Sequence, residues 1–323
     1  MLKNFVITGV AGYIAPRHLK AIKETGNRLV AAVDPHDSVG LLDSYFDGVR
    51  FFTEFERFDR HIEKLRRQGE DQHVHYVSIC SPNYLHDAHC RFALRVGADT
   101  ICEKPVVLNP WNIDALQELE QESGKRIYTV LQLRVHPSLI ALKEKLQKET
   151  RTSKREINLT YITSRGLWYL ISWKGQVERS GGLATNIGIH LFDLLIWLFG
   201  KVEHSEVHLS TPTKTGGYME LQDARVKWFL SIDKGDLPQG QIRPDETKNK
   251  GKTTFRSITI DGEEVEFSEG FTDLHTIVYR ETLAGRGFGL EDARPSVVLA
   301  HDIRNAKVIG INENSHPLVK KIL

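Results

Sequence analysis

Lys104 stands between an acid and an imino acid, in the run TICEKPVVLNP, where an apolar strand gives out. A lysine at that point is either a surface ion-pair residue or, where partly desolvated, an ammonium placed on a substrate hydroxyl. Pro105 fixes the backbone behind it, by a trans or a cis bond, so the side chain is aimed. Glu103 and Lys104 then reach the same crevice as a glycine turn near the start of the chain.

That turn reads Gly9-Val10-Ala11-Gly12-Tyr13-Ile14, with a helix expected from about Ile14. Glycines let the backbone bring N–H groups against a pyrophosphate at a helix N-terminus, where the dipole favours negative charge. The spacing departs from the usual fingerprint, because Ala11 takes the second glycine position and Gly12 follows one place later, so plain chain reversal also explains it. Asp34 strengthens the nucleotide reading. It ends the strand LVAAVD about 20 residues on, where a carboxylate can bind both ribose hydroxyls and repel a 2'-phosphate, which selects NAD over NADP. Ser81, Pro82 and Asn83 close the run VSICSPNYLH at the carboxyl end of another strand; they line the crevice or, equally, form a turn in which Asn83 caps the next helix. His86, His89 and Cys90 lack a second ligand cluster, so no metal is expected.

Parallel strands would position these groups. NFVITG, RLVAAVD, HYVSICS, DTICE and RIYTVLQ alternate with helix-like stretches, an order that demands crossovers and a doubly wound sheet covered on both faces. From about Glu156 the pattern changes. INLTYITSRG, VEHSEVHLS, ARVKWFLSID, FRSITIDG and EEVEFSE follow one another as strands, so antiparallel pairing is expected, with helices near Asn186–Leu198, Asp273–Ala284 and Glu291–Asn305. The expected fold is α/β: a Rossmann domain over residues 1–133 for NAD, then an α+β domain over 134–323 with a large, mainly antiparallel open sheet for substrate and oligomerisation. The polar run from Lys234 to Lys252 reads as an exposed loop.

Composition narrows the function classes. At 323 residues, 40% hydrophobic and 26% charged, the chain can form two ordinary domains. Lys+Arg 43 against Asp+Glu 42 leave a net charge of +1, so no summed field draws it to nucleic acid or an anionic membrane. The start MLKNFVITGVAG lacks the pattern of a signal peptide, and HLFDLLIWLFG is too short for a span and carries Asp193, so a cytoplasmic protein is expected. Cys80, Cys90 and Cys102 make an odd set, two of them ending apolar runs, and no disulfide is expected.

E-K-P at a strand end, Ser81-Pro82-Asn83 with His86, and GGLATNIGIHLFDLL together resemble the glucose-fructose oxidoreductase, inositol dehydrogenase and MocA-like (Gfo/Idh/MocA) family. Within it, GVAGYIAPRHLKAI, YITSRGLWYL with SWKG, and FSEGFTDLH are most similar to the 3-dehydrogenases of UDP-N-acetyl-2-amino-2-deoxyglucuronate. The resemblance implies NAD-dependent oxidation of the sugar's 3-hydroxyl, for bacterial surface polysaccharide, in a homotetramer. It also implies 2-oxoglutarate as a hydride acceptor that regenerates NAD in place, or else ordinary NADH release. Lys104 and His190 carry over as the catalytic pair, with their roles exchangeable. Asn186 stands where many relatives have Asp, and an amide can orient a hydroxyl but cannot take a proton. Asp193 would anchor the helix or orient His190. A UDP-sugar acid brings a pyrophosphate and a carboxylate, and Arg165, Tyr169, Lys174 and Thr185, with Trp168 and Trp173, are the cations, rings and hydroxyls that would meet them. Arg134, Thr272 and His275 are further candidates, although Thr272 or Asp273 would also cap a helix. A different sugar or polyol, or a dinucleotide-binding regulator without turnover, are the alternatives.

Overall fold

A computed structural model of the protein describes residues 2–69, 71–238, 254–266 and 273–322. In chain order the first elements are β1 (Asn4–Thr8), α1 (Ala15–Glu24), β2 (Arg28–Val33), β3 (Arg50–Phe52), α2 (Phe55–Arg67), β4 (Tyr76–Ile79), α3 (His86–Arg95), β5 (Asp99–Cys102), α4 (Trp111–Ser123) and β6 (Ile127–Thr129). The chain continues through α5 (Pro137–Lys148), β7 (Arg155–Thr163), α6 (Leu167–Ile171), α7 (Val177–Ser180), α8 (Ile189–Phe199), β8 (Val202–Ser210), β9 (Lys214–Leu221) and β10 (Ala224–Ser231). Last come β11 (Thr254–Ile260), β12 (Glu263–Glu264), α9 (Leu274–Leu283), α10 (Leu290–Asn305) and α11 (Pro317–Ile322).

Two compact units result: Met1–His136 with Ser268–Arg294, and Pro137–Phe267 with Pro295–Leu323. A single cut at 133/134 therefore does not describe the chain path. Helix α9 belongs to the first unit, where it packs on α1, and the later boundary falls inside α10 at its internal Pro295.

In the first unit a sheet of order β3-β2-β1-β4-β5-β6 is parallel throughout. All five residues of β1 are buried, as in a strand covered on both faces. The chain builds outward from β1 to β3 and then returns to β4, so the strand order reverses between β1 and β4. A crevice for ligands forms outside the carboxyl ends of strands at such a switch point. Helix α1 buries Ala15, His18, Leu19 and Ile22 at helical spacing against this sheet and ends at Thr25–Gly26, where Gly26 adopts φ 72°. Leu19 is fully buried, and its truncation to Ala would cost about 2–5 kcal/mol.

The second unit holds a sheet of order β12-β11-β7-β10-β9-β8. Its pairs are antiparallel except β7 with β10, which are parallel. The mainly antiparallel expectation holds with that one departure: β7 is inserted between β10 and β11 instead of pairing with its sequence neighbour β8. Of the strand expected from EEVEFSE, Glu263–Glu264 pair with β11, and the residues from Phe267 on lie outside the described residues. Helix α8 covers the sheet closely, with Phe192 edge-on to Trp228 at 5.4 Å between ring centroids. A Cβ on Gly188 would lie 2.6 Å from Leu230 Cδ1, so glycine is what lets the start of α8 approach β10. The helical run Val177–Phe199, 23 residues, is long and apolar enough to cross a membrane, but 72% of its apolar window is buried, as in a core helix. Cys80, Cys90 and Cys102 are free and buried. Most of the loop expected over 234–252 lies outside the described residues, apart from a single turn at Lys234–Asp236.

Candidate active site

The first unit supplies a nucleotide cradle. Gly9 follows β1 with φ 77°, and a Cβ there would stand 2.5 Å from Ser81 N and 2.6 Å from Cys80 O. Only glycine fits, so the first turn can lie directly on the turn after β4. Gly9 donates its N–H to Val33 O at 2.8 Å, and Gly12 donates to Gly9 O at 3.1 Å. Helix α1 starts without a side-chain cap on its N-cap residue Ile14. Ala15 N–H donates to Gly12 O at 3.1 Å, Pro16 has no N–H and Arg17 N–H donates to Ile14 O at 3.0 Å, so the helix start offers an anion its dipole and not its first-turn donors. Asp34, 6% exposed, accepts from Ala11 N–H at 3.0 Å and from His36 N–H at 2.9 Å. Each carboxylate oxygen keeps a further lone pair for a ribose hydroxyl. Tyr13 projects from the turn with 91% of its surface exposed. This arrangement fits NAD: a glycine that a Cβ would block, a helix start pointing its dipole at the turn and a fixed acid at the end of β2.

Three of the residues expected to line the crevice have their side chains committed inward. Ser81 Oγ bonds His89 Nδ1 at 2.9 Å. His86 Nδ1 lies 2.6 Å from Pro105 O and its Nε2 2.8 Å from Ser81 O, so this ring ties the turn after β4 to the turn after β5. Burial lowers the His86 pKa, and a neutral ring can donate to only one of those two carbonyls at a time. Glu103 is buried, and its Oε1 accepts from His18 Nε2 at 3.0 Å and His275 Nε2 at 2.8 Å. These bonds give structural partners to the side chains of His86 and Glu103, both of them sequence candidates for cofactor contact. Asn83, buried, begins the short 3-10 turn that leads into α3.

Lys104 follows β5, half-buried, and its bond to Pro105 is cis. Its backbone N–H donates to Glu103 Oε2 at 3.3 Å. Arg134, a candidate for substrate, is instead held by the Asp292 side chain at 3.2 Å and its carbonyl at 2.8 Å, with its guanidinium over Phe288. Asp273 is the N-cap of α9, but its carboxylate takes Lys20 at 2.6 Å instead of capping. Thr272 lies outside the described residues. Sequence reasoning missed His18 and the inward role of His275. A histidine on the buried face of α1, among Ala15, Leu19 and Ile22, was the signal that could have found the first.

The second unit gathers the substrate candidates. Asn186 Nδ2 donates to the Tyr169 hydroxyl at 2.5 Å, which brings the turn before α8 onto α6. Burial raises the Tyr169 pKa, so the ring is a neutral phenol. Lys174 Nζ sits 4.0 Å from the Trp173 ring centre and 5.8 Å from that of Trp168. Burial lowers its pKa, with exposed Arg165 adding to the effect. Thr185 Oγ1 is buried with no hydrogen-bond partner. Asn186 and His190, both half-buried, lie on either side of the start of α8: a π-type turn, Ala184–Gly188, precedes the helix, which begins later than the expected Asn186. Asp193 is buried one turn after His190.

A glycine cradle at the switch point of a parallel sheet, an acid for ribose hydroxyls and an aimed lysine define a dinucleotide-dependent oxidoreductase. Residues 3–131 match the oxidoreductase family described as GFO_IDH_MocA, NAD-binding Rossmann fold, and residues 154–237 match its C-terminal alpha/beta domain. The chain belongs to the Gfo/Idh/MocA oxidoreductase family, as the sequence resemblance implied.

Among solved structures, the chain is 55% identical to the WlbA (WbpB) dehydrogenase from Thermus thermophilus in complex with NAD and alpha-ketoglutarate, over 98% of this chain and 100% of that one, with a TM-score of 0.92. The same enzyme with NAD and UDP-GlcNAcA superposes with a TM-score of 0.91, at the same identity and coverage. WlbA from Bordetella pertussis shares the fold at 20% identity, TM-score 0.73 and 94% coverage of both chains. Of curated relatives, D-glucoside 3-dehydrogenase of Escherichia coli is 30% identical over 43% of this chain and 40% of its own length. The chain spans about half the length of the curated relatives it matches, or less.

Proposed function

We propose that the protein oxidises the 3-hydroxyl of UDP-N-acetyl-2-amino-2-deoxyglucuronate to a ketone with NAD, as a cytoplasmic tetramer serving surface polysaccharide (O-antigen) synthesis. The observation that carries this reading is the 55% identity across the full length of an enzyme solved with NAD and UDP-GlcNAcA. It is supported by the retention of Lys104 after β5 and of His190 at the start of α8.

In the forward reaction His190 takes the hydroxyl proton, and the Lys104 ammonium stabilises the alkoxide that develops as the proton leaves. The two roles can be exchanged without altering the balance of the reaction. Bound NAD supplies the hydride acceptor for the hydrogen on C3, so the products are the 3-oxo sugar, NADH and one proton. Asn186, already fixed to Tyr169, orients a hydroxyl without exchanging a proton. Arg165 and Lys174 bring positive charge for the sugar carboxylate or the pyrophosphate, with Trp173 beneath the Lys174 ammonium. Thr185, with an unpartnered hydroxyl, is the neutral donor of the set. Residues 1–133 would bind NAD and 134–323 would bind substrate and carry oligomer contacts, with α9 as the exception.

Reoxidation in place is the second part of the proposal. The alpha-ketoglutarate complex of the Thermus enzyme supports a 2-oxo acid taking the hydride back and leaving as the 2-hydroxy acid. The test is to mix purified protein with UDP-N-acetylglucosaminuronate, with and without 2-oxoglutarate, and to follow sugar mass and absorbance at the NADH band. A sugar lighter by one hydrogen molecule, formed in amounts exceeding bound NAD only when 2-oxoglutarate is present, is the expected result. Absence of a 3-oxo product in every mixture, added NAD included, would overturn the substrate assignment.

A further inference from the structure

Behind the end of β5 lies a chain of buried polar groups that the reaction does not use. The Ser78 hydroxyl is 2.6 Å from the Tyr279 hydroxyl, and Tyr279 is 2.7 Å from His18 Nδ1. His18 Nε2 then meets Glu103 Oε1, which also takes His275 Nε2, while Glu103 Oε2 faces the Lys104 N–H.

One assignment of protons satisfies every link. Burial lowers the His18 pKa, so its ring is neutral. Burial by itself would raise the Glu103 pKa, but the hydrogen bonds from His18 and His275 outweigh it and hold the carboxyl well below its ordinary range. Glu103 is therefore an acceptor only, and His18 must donate from Nε2. Its Nδ1 is left as an acceptor and takes the Tyr279 proton; Tyr279 in turn accepts from Ser78. The ligand atoms of His18, Glu103 and His275 lie within 4.8 Å of one another, a spacing a cation could use. The hydrogen bonds close without one.

A buried carboxylate with two histidine donors is a costly feature unless its charge is used. The groups that face it are His18 from α1, His275 and Tyr279 from α9, the neutral thiols of Cys80 and Cys102, and His86 from α3. Lys104 is the adjacent residue along the chain, and its amide is bonded to Oε2.

We propose that Glu103 is a positioning residue for Lys104: clamped at Oε1 by two histidines from separate helices, its carboxylate fixes the Lys104 backbone through Oε2 and holds a negative charge at the residue next to it. This rests on the catalytic role given to Lys104 above. Because α9 returns to this unit from far along the chain, the network also ties the C-terminal segment to the catalytic strand.

The test compares wild type with Glu103→Gln, which keeps size and removes charge. Competitive acylation of Lys104 as a function of pH, read by mass spectrometry, reports the ammonium without any need for substrate. Removing the negative charge lowers the midpoint of labelling by about one pH unit. In turnover, kcat falls about 10- to 100-fold with KM for both ligands little changed, and the limb of the kcat profile belonging to Lys104 moves to lower pH. Glu103→Asp restores the charge and returns the labelling midpoint towards wild type, which a merely structural role would not do. An unchanged Lys104 midpoint in folded Glu103→Gln overturns the inference. Should that variant not fold, His275→Gln, which retains a donor, and His275→Leu, which does not, decide it: the inference requires the first to label and turn over like wild type and the second to differ. Lys104→Ala separates the two readings, since full turnover there defeats the catalytic role itself. Loss of turnover there with wild-type behaviour in Glu103→Gln defeats only the positioning role.

Discussion

The Ala11 N–H donates to Asp34 Oδ2 at 3.0 Å, so the glycine turn and the end of β2 are joined by a hydrogen bond within the protein itself. The acid proposed to read the ribose thus also braces the turn proposed to meet the pyrophosphate. Asp34→Ala should lose both functions. NADH affinity falls about 10- to 100-fold, the worth of one or two hydrogen bonds to a charged group. NADPH affinity falls much less, because the repelling carboxylate is gone. Fluorescence titration with both nucleotides measures this, and an unchanged ratio of the two affinities would remove Asp34 from cofactor selection.

The catalytic pair predicts a different pattern. Lys104→Ala and His190→Ala should each keep NAD affinity and lose about 10²- to 10⁴-fold in kcat, the range for a positioned acid or base. If the two act on one proton transfer, the double variant should be little worse than the poorer single one. Single-turnover formation of the 3-oxo sugar is the measurement, and additive losses would assign the residues to separate steps.

Local chemistry and periodicity made the first unit readable. Alternating strands and helices, Gly9, Asp34 and the strand ending at Glu103 are each short-range features, and the parallel sheet with its switch point follows from them. Contacts distant in sequence were not readable. His18 and Glu103 are 85 residues apart, and His275 and Glu103 are 172 apart, so nothing local shows that the Glu103 carboxylate is taken. The same reason hid the return of α9 to the first unit and the parallel pairing of β7 with β10. The candidate residues of the second unit were legible as types, whereas the bond between Asn186 and Tyr169 required the turn before α8 to be seen.

Gly9→Ala tests whether the cradle needs its close approach. The residue has φ 77°, and the added Cβ would stand 2.5 Å from backbone that cannot swing aside. Strain in such a conformation costs about 1–3 kcal/mol before the clash is counted. The variant should unfold at lower urea and bind NADH at least 10-fold more weakly. Gly26→Ala is the control, since φ there is 72° but nothing lies within 4 Å of the added atom. It should lose stability and leave NADH affinity unchanged.

Acid should weaken both units through histidines buried in the neutral form. Burial lowers the pKa of His89 in the first unit to about 4, and does the same to His316 in the second. In the unfolded chain both rings return to about 6.5. Between those values the unfolded state binds more protons than the folded one, so stability is complete above about pH 6.5 and falls as pH drops towards 4. A shift of that size is worth about 3 kcal/mol for each ring by pH 4. His89 is packed flat on Phe55 at 4.8 Å and bonded to Ser81 and Thr8, while His316 bonds Thr160 at 3.1 Å and stacks on Phe229. Neither can move to water without disturbing its surroundings. Urea unfolding of wild type at pH 7 and pH 4.5 should show the loss. His89→Gln and His316→Gln should each be less stable than wild type at pH 7 and lose less on acidification. If both variants keep the full acid dependence, other groups carry it, and these two rings are not buried neutral.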